Sequence, residues 1–138
     1  MSKLWIYNTE CPYGLEKNGG IVYFKVILNE GKHDFIINAI REREEKESKR
    51  NGNMEVVSSL RQLKDKSWLL RLRVKVFKNK MAVKMSYKDN TDNYLKTLDD
   101  ISPSDEINVR FSLGDGYVFN WEGQRRLGIN LYLDEVVV

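Results

Sequence analysis

The sequence predicts a mainly β protein, a small antiparallel barrel with one or two short helices, and three observations predict it. About eight short runs alternate apolar and polar side chains with the period of two that a half-buried strand requires. Clusters of Gly, Asn, Asp and Pro punctuate those runs as turns do. The longest alternation, "SWLLRLRVKVFKNKMAVKMSYK" from Ser67 to Lys88, reads as a hairpin with cations along one side.

Taken in order, Leu4 to Tyr7 predicts a short edge strand, and Asn8 to Gly20 a loop broken by Pro12, Gly14, Gly19 and Gly20. Ile21 to Leu28 and His33 to Ile40 are rich in β-branched and aromatic residues and predict two strands. Asn29-Glu30-Gly31-Lys32 reads as the hairpin turn between them. Arg41 to Arg50, "REREEKESKR", is nearly all charge. It suits either a solvated helix, with Glu42/Lys46 and Glu45/Lys49 at i,i+4, or a mobile insertion extending to Asn53. A balanced, solvated segment of this kind predicts that a short Gly-Ser linker in its place keeps the fold. Met54 to Leu63 fits a strand or a short helix.

In the hairpin, Trp68, Leu70, Leu72, Val74 and Val76 share one face, and Arg71, Arg73, Lys75 and Phe77 the other. After a turn at Lys78-Asn79-Lys80, Met81, Val83, Met85 and Tyr87 face inward, and Lys80, Lys84 and Lys88 outward. Thr91 to Ile101 predicts a helix ended by Ser102-Pro103. Glu106 to Leu113, Tyr117 to Trp121 and Gly128 to Val138 predict the last three strands, with Gly114-Asp115-Gly116 as a turn. So many edges are best managed by closure, and the order after residue 67 is that of an OB-type Greek-key barrel; a β-sandwich is the alternative.

The 138 residues imply one domain over 1–138, and the 41% hydrophobic fraction argues against global disorder. No apolar run approaches the roughly 20 residues of a membrane span, and the first residues lack a secretory pattern, so an intracellular protein with no membrane partner is expected. The single cysteine, Cys11, excludes an internal disulfide.

Net charge is only +3, but it is unevenly distributed. Residues 61–88 hold ten Lys or Arg against one acid, Asp65, and residues 89–106 hold six acids against Lys96. Like charges on neighbouring strands repel, so a cationic face without local carboxylates points to an anionic partner, above all a nucleic acid.

Catalytic readings lack parts. His33 is the only histidine and falls at a predicted turn, where an exposed imidazole is expected. One Cys and one His do not make a structural zinc site, and there is no phosphate-binding GxxxxGK[ST] loop. Acid pairs at Asp99/Asp100, Asp105/Glu106 and Asp134/Glu135 leave a metal-dependent nuclease as an alternative, although adjacent strand carboxylates point apart. No cofactor or metal site is expected.

The aromatics point the same way as the charge. Tyr117, Phe119 and Trp121 share one strand face; core is the expectation for Phe119, whereas Trp121 adjoins the turn Glu122-Gly123-Gln124-Arg125-Arg126. Tyr23 and Lys25 share a polar face, and Phe77 joins Arg71, Arg73 and Lys75. Cations tracking phosphates beside rings that stack on bases is the chemistry of single-strand binding.

The strands "LRLRVKVF", "ISPSDEINVRFSL" and "GYVFNWEGQRRLGINLYLDEVVV", over roughly residues 68–138, resemble those of the OB-fold single-stranded-DNA-binding proteins of DNA viruses and phages, in particular the version of large double-stranded DNA viruses. Gly128 to Leu133 and Val136 to Val138 fit the closing strand of that barrel. The resemblance implies a non-enzymatic protein that coats single-stranded DNA in viral replication or recombination, located where the genome is replicated. On the strand-face pattern of charge and aromatics, Arg71, Arg73, Lys75, Lys84 and Lys88 would neutralise phosphates. Tyr23, Phe77 and Trp121 would be stackers, Lys25 would lie beside Tyr23, and Arg125 and Arg126 would close a loop over the strand. RNA is the alternative ligand, and a homo-oligomer is compatible with the pattern. Many such proteins end in an acidic tail that recruits replication partners; this sequence stops at Val138, which leaves such recruitment in doubt. A protein-interaction or virion structural β domain is the other class to be separated from this one.

Overall fold

The computed structural model describes residues 2–78, 80–86 and 98–138. Lys88 and most of the expected helix from Thr91 to Ile101 therefore lie outside the described residues; Leu98–Asp100 forms a single 3-10 turn. The described elements are β1 (Ser2–Thr9), β2 (Leu15–Asn18), β3 (Ile21–Leu28), α1 (Asp34–Arg50), β4 (Leu60–Gln62), β5 (Trp68–Val74), β6 (Val76–Phe77), β7 (Lys80–Met81), β8 (Lys84–Ser86), β9 (Ile107–Trp121) and β10 (Gln124–Val137). No described helix is long and apolar enough to cross a membrane.

One sheet runs in the order β1-β9-β10-β5-β3-β2, with β4 beside β5 and β8 beside β10, while β6 and β7 pair separately. All these pairings are antiparallel except β10 with β5 and with β8. The ladder is open between β1 and β3, and the chain leaving β1 bridges the gap. Ile27 donates its N–H to the Glu10 carbonyl at 3.0 Å, and Lys25 donates to that of Gly14 at 3.3 Å. The Thr9 hydroxyl also donates to the Ile27 carbonyl. β1, β3, β5, β9 and β10 thus make the partly open Greek-key barrel of the OB class. Alternation fills its interior: Phe24, Val26, Leu28, Leu70, Leu72, Val109, Phe111 and Leu133 are all fully buried.

The expected strand from His33 to Ile40 is instead the first half of α1, and the charged segment is its second half. Ile36, Ile37 and Ile40 fall on one helical face and are buried, so tertiary burial overrides their β-branched preference. His33 is 4% exposed, not exposed as expected at a turn. Its Nδ1 accepts the Asn29 N–H at 2.9 Å, which leaves Nε2 to donate to the Tyr7 carbonyl at 2.8 Å.

Three other expectations change. The loop from Asn8 to Gly20 contains β2, because Gly19 and Gly20, at φ +58° and +84°, supply the two positive angles of a tight hairpin to β3. Gly114-Asp115-Gly116 is not a turn; β9 passes through it with an irregularity in its pairing to β10. The hairpin from Ser67 to Lys88 is broken after Val74, so Val76 is 46% exposed rather than inward, and β8 lies parallel to β10 instead of returning along β5.

Candidate nucleic-acid interface

The outward residues of β3, β5 and β10 form one face. Tyr23 lies opposite Arg73 and Lys25 opposite Arg71, and Arg73 in turn pairs in register with Tyr132. The Arg71 guanidinium sits 4.3 Å from the centre of the Tyr23 ring, a stacking contact that holds it flat over the face.

Beyond Gly116, β9 and β10 continue as a two-stranded arm through the turn at Glu122 and Gly123. Period two puts Tyr117, Phe119 and Trp121 on one side of it. Their rings follow one another at 5.6 Å and 6.5 Å between centroids. Phe119 is half-buried rather than core, because the arm extends past the barrel interior that would have covered it. The arm and the face bound a groove of about 520 Å³, lined by Tyr23, Arg71, Arg73, Tyr117, Phe119 and Trp121 and by Val57, Ser58, Ser59 and Asn130. Partial burial pushes the Tyr117 phenol above the ordinary tyrosine value and Tyr23 adds to this, while Arg73 and Arg71 pull it back.

Of the residues singled out in the sequence, Tyr23, Arg71, Arg73 and Trp121 therefore converge on one groove. Lys25 shares the face, but Glu16 neutralises it at 2.8 Å, and that contact holds the Glu16 carboxyl below its usual value. Lys84 of β8 sits 3.5 Å from Glu135, its register partner on β10, and does not line the groove. The supposed absence of local carboxylates thus fails for these two lysines. Arg71, Arg73 and Lys75 form no ion pair among the described residues, although the charge of Arg71 also helps to hold down the Glu16 carboxyl. Phe77 is 69% exposed on β6, outside the groove, with Lys78 over its ring. Arg125 and Arg126 belong to β10, not to a loop, and as strand neighbours point to opposite sides. Arg126 meets Glu55 at 3.4 Å. Lys88 lies outside the described residues.

Sequence reasoning missed Tyr117, Phe119 and Tyr132 as site residues. The i, i+2, i+4 aromatic row was the available signal for the first two. Among the described residues, no three His, Cys, Asp or Glu side chains gather as a metal site would require.

No family model and no curated protein matches the chain by sequence. Solved structures match it by shape. The single-stranded DNA-binding protein from bacteriophage Enc34, determined in complex with ssDNA, superposes with a TM-score of 0.64 at 14% identity, over 98% of this chain and 84% of that one. The single-stranded DNA-binding protein gp2.5 encoded by bacteriophage T7 gives 0.64 at 13% identity, over 100% of this chain and 91% of that one. The likeness therefore reaches well beyond residues 68–138, into the first 60 residues, where the sequence carries no recognisable motif.

Proposed function

We propose that this chain is a non-enzymatic single-stranded DNA-binding protein that coats the strand with little sequence preference, in phage or viral replication or recombination. The carrying observation is the groove itself, in which two arginines outside any ion pair line the same space as a row of three aromatic rings. Arg71 and Arg73 take phosphates, and Tyr23, Tyr117, Phe119 and Trp121 offer π-faces to bases. A duplex hides its base faces, so such a row has value only for an unpaired strand. The match of fold to single-stranded DNA-binding proteins of two bacteriophages supports the reading. Lys25, Lys84 and Arg126, each already paired, contribute long-range attraction rather than direct grip.

Fluorescence-anisotropy titration with labelled oligo-dT, the matching duplex and oligo-U, with and without magnesium, tests it. The expected result is tight binding of oligo-dT, weak binding of duplex and no cleavage. Magnesium-dependent cleavage would establish a nuclease instead, and no binding of any nucleic acid would leave a protein-interaction domain.

A further inference from the structure

A second cavity, of about 300 Å³, opens on the outer face where β5 ends, and it shares Ile21 and Arg73 with the groove. Lys75 and Tyr132 also line it, and neither lines the groove. The Tyr132 ring holds both cations, with the Arg73 guanidinium 5.9 Å and the Lys75 ammonium 4.9 Å from its centroid. Attraction to the same ring holds the two charges beside the cavity that both residues line. They also repel each other there, and no carboxylate among the described residues neutralises either. An anion placed between them removes the repulsion and gains two charge-assisted hydrogen bonds. Gly20 at the cavity edge presents no side chain to obstruct it.

We propose that this notch is a separate phosphate subsite for the DNA strand as it leaves the groove past Arg73, with Arg73 and Lys75 as the ligands and Tyr132 as the residue that positions them. The inference rests on the single-strand reading. It extends the footprint along the same face past the end of β5, beyond the arm, and requires the strand to be long enough to reach beyond the groove.

The test compares affinities for a short oligo-dT of about four nucleotides, filling the groove alone, and a long one of about twelve, both within the range of sites on such barrels. In Lys75→Gln the long-to-short affinity ratio should fall about tenfold. Tyr132→Leu, which also releases Arg73 beside the groove, should weaken both lengths but the long one about tenfold more, and Tyr132→Phe, which keeps the ring, should retain the ratio. The salt dependence for the long oligonucleotide should become shallower by roughly 0.7 in Lys75→Gln, the contribution of one phosphate on a single strand. Lys46→Gln on α1 serves as the control for diffuse charge. Equal losses at both lengths in Lys75→Gln, or no loss at either, would overturn the subsite while leaving the proposed function standing. Failure of the wild type to bind either length would remove both. Should Tyr132→Leu not fold, Lys75→Gln alone still decides the matter.

Discussion

Tyr117 owes its place on the arm to the missing side chain opposite it. Gly128 faces it in the β9–β10 register, and a Cβ at that position would lie 2.5 Å from the ring Cζ, 2.7 Å from Oη and 2.9 Å from Cε1. Carbon atoms in contact sit about 3.5–4.0 Å apart, so in Gly128→Ala the ring must move. Tyr117 is 42% exposed and has solvent to swing into, so the core stays closed. Replacing a strand glycine is itself favourable by about 0.5–1 kcal/mol, which offsets part of the displacement. The expected change in stability is therefore within about 1 kcal/mol. Binding should change more: a ring driven from its neighbour Phe119 no longer offers a platform, and one stacked base contributes about 1–3 kcal/mol. That is about a 5- to 150-fold loss of affinity. Oligo-dT anisotropy and thermal melting would be measured for Gly128→Ala, Tyr117→Ala and the double variant. Because Gly128 acts only through the ring, the double variant should bind like Tyr117→Ala alone. Wild-type affinity in Gly128→Ala, with tyrosine ring resonances showing that the ring has moved, would refute Tyr117 as a platform. A loss of several kcal/mol in stability would refute the claim that the ring is free to move.

Trp121, 46% exposed, should behave alike: Trp121→Ala is expected to weaken oligo-dT binding by about 1–3 kcal/mol with little change in melting temperature, where a core tryptophan would lose about 3–5 kcal/mol of stability. Its fluorescence should be quenched by DNA, and subtracting the signal of the variant removes the contribution of Trp5 and Trp68. If about four phosphates are engaged, log K should fall against log salt with a slope near −3, and Arg71→Glu with Arg73→Glu should weaken all sequences alike. Burial pushes the Cys11 thiol from the ordinary 9.0 up to about 11, so a disulfide-forming thiol reagent at pH 8 should react only on unfolding. The unfolded chain loses that proton first, so urea midpoints should be level below about pH 9 and fall between about 9 and 11. Replacing residues 41–50 by a Gly-Ser linker should now destabilise the fold measurably in urea, since the segment is helical and its Glu47 is buried.

What was legible follows from what period two can report. β3, β5 and the barrel portions of β9 and β10 have one wet and one dry face, so their alternation named the inward and outward residues, including Tyr23, Arg71 and Arg73. The helix was hidden because its two halves carry different signals. Ile36, Ile37 and Ile40 read as a strand by propensity, while the charged half from Arg41 has too few apolar residues to show a period. Phe119 was misplaced because alternation says which residues share a face, not whether that face meets a core or projects beyond it. The pairing of Lys25 with Glu16 was invisible because Glu16 lay in what read as a loop, and strand pairing is a tertiary fact. Tyr132 alternates like any strand residue; only the parallel register with Arg73 brings it under two cations.

The helix that looked detachable in the sequence is what braces the arm. A lone two-stranded hairpin is at best marginally stable in water, and this one is supported from two sides at its base. Along β10, Leu127 exchanges backbone hydrogen bonds with the segment before β4, its N–H donating to the Glu55 carbonyl at 3.0 Å and its carbonyl accepting from Val57 at 2.9 Å. From α1, Arg43 donates to the Gly114 carbonyl at 3.1 Å and lies 4.0 Å from Asp115. Glu47, 4% exposed and bonded to Arg50 at 3.2 Å, fills the space beside Gly116, where a Cβ would come within 3.1 Å of its Oε2. Gly116 is thus required less for a turn than for the close approach of helix to strand. Bracing at Gly114, Gly116 and Leu127 fixes the direction in which Tyr117, Phe119 and Trp121 project. Side chains ordered before a ligand arrives lose less conformational freedom on binding, so the brace increases the affinity available from the same rings. The charged segment thereby affects binding without touching the groove: it holds the strand pair that carries the aromatic row.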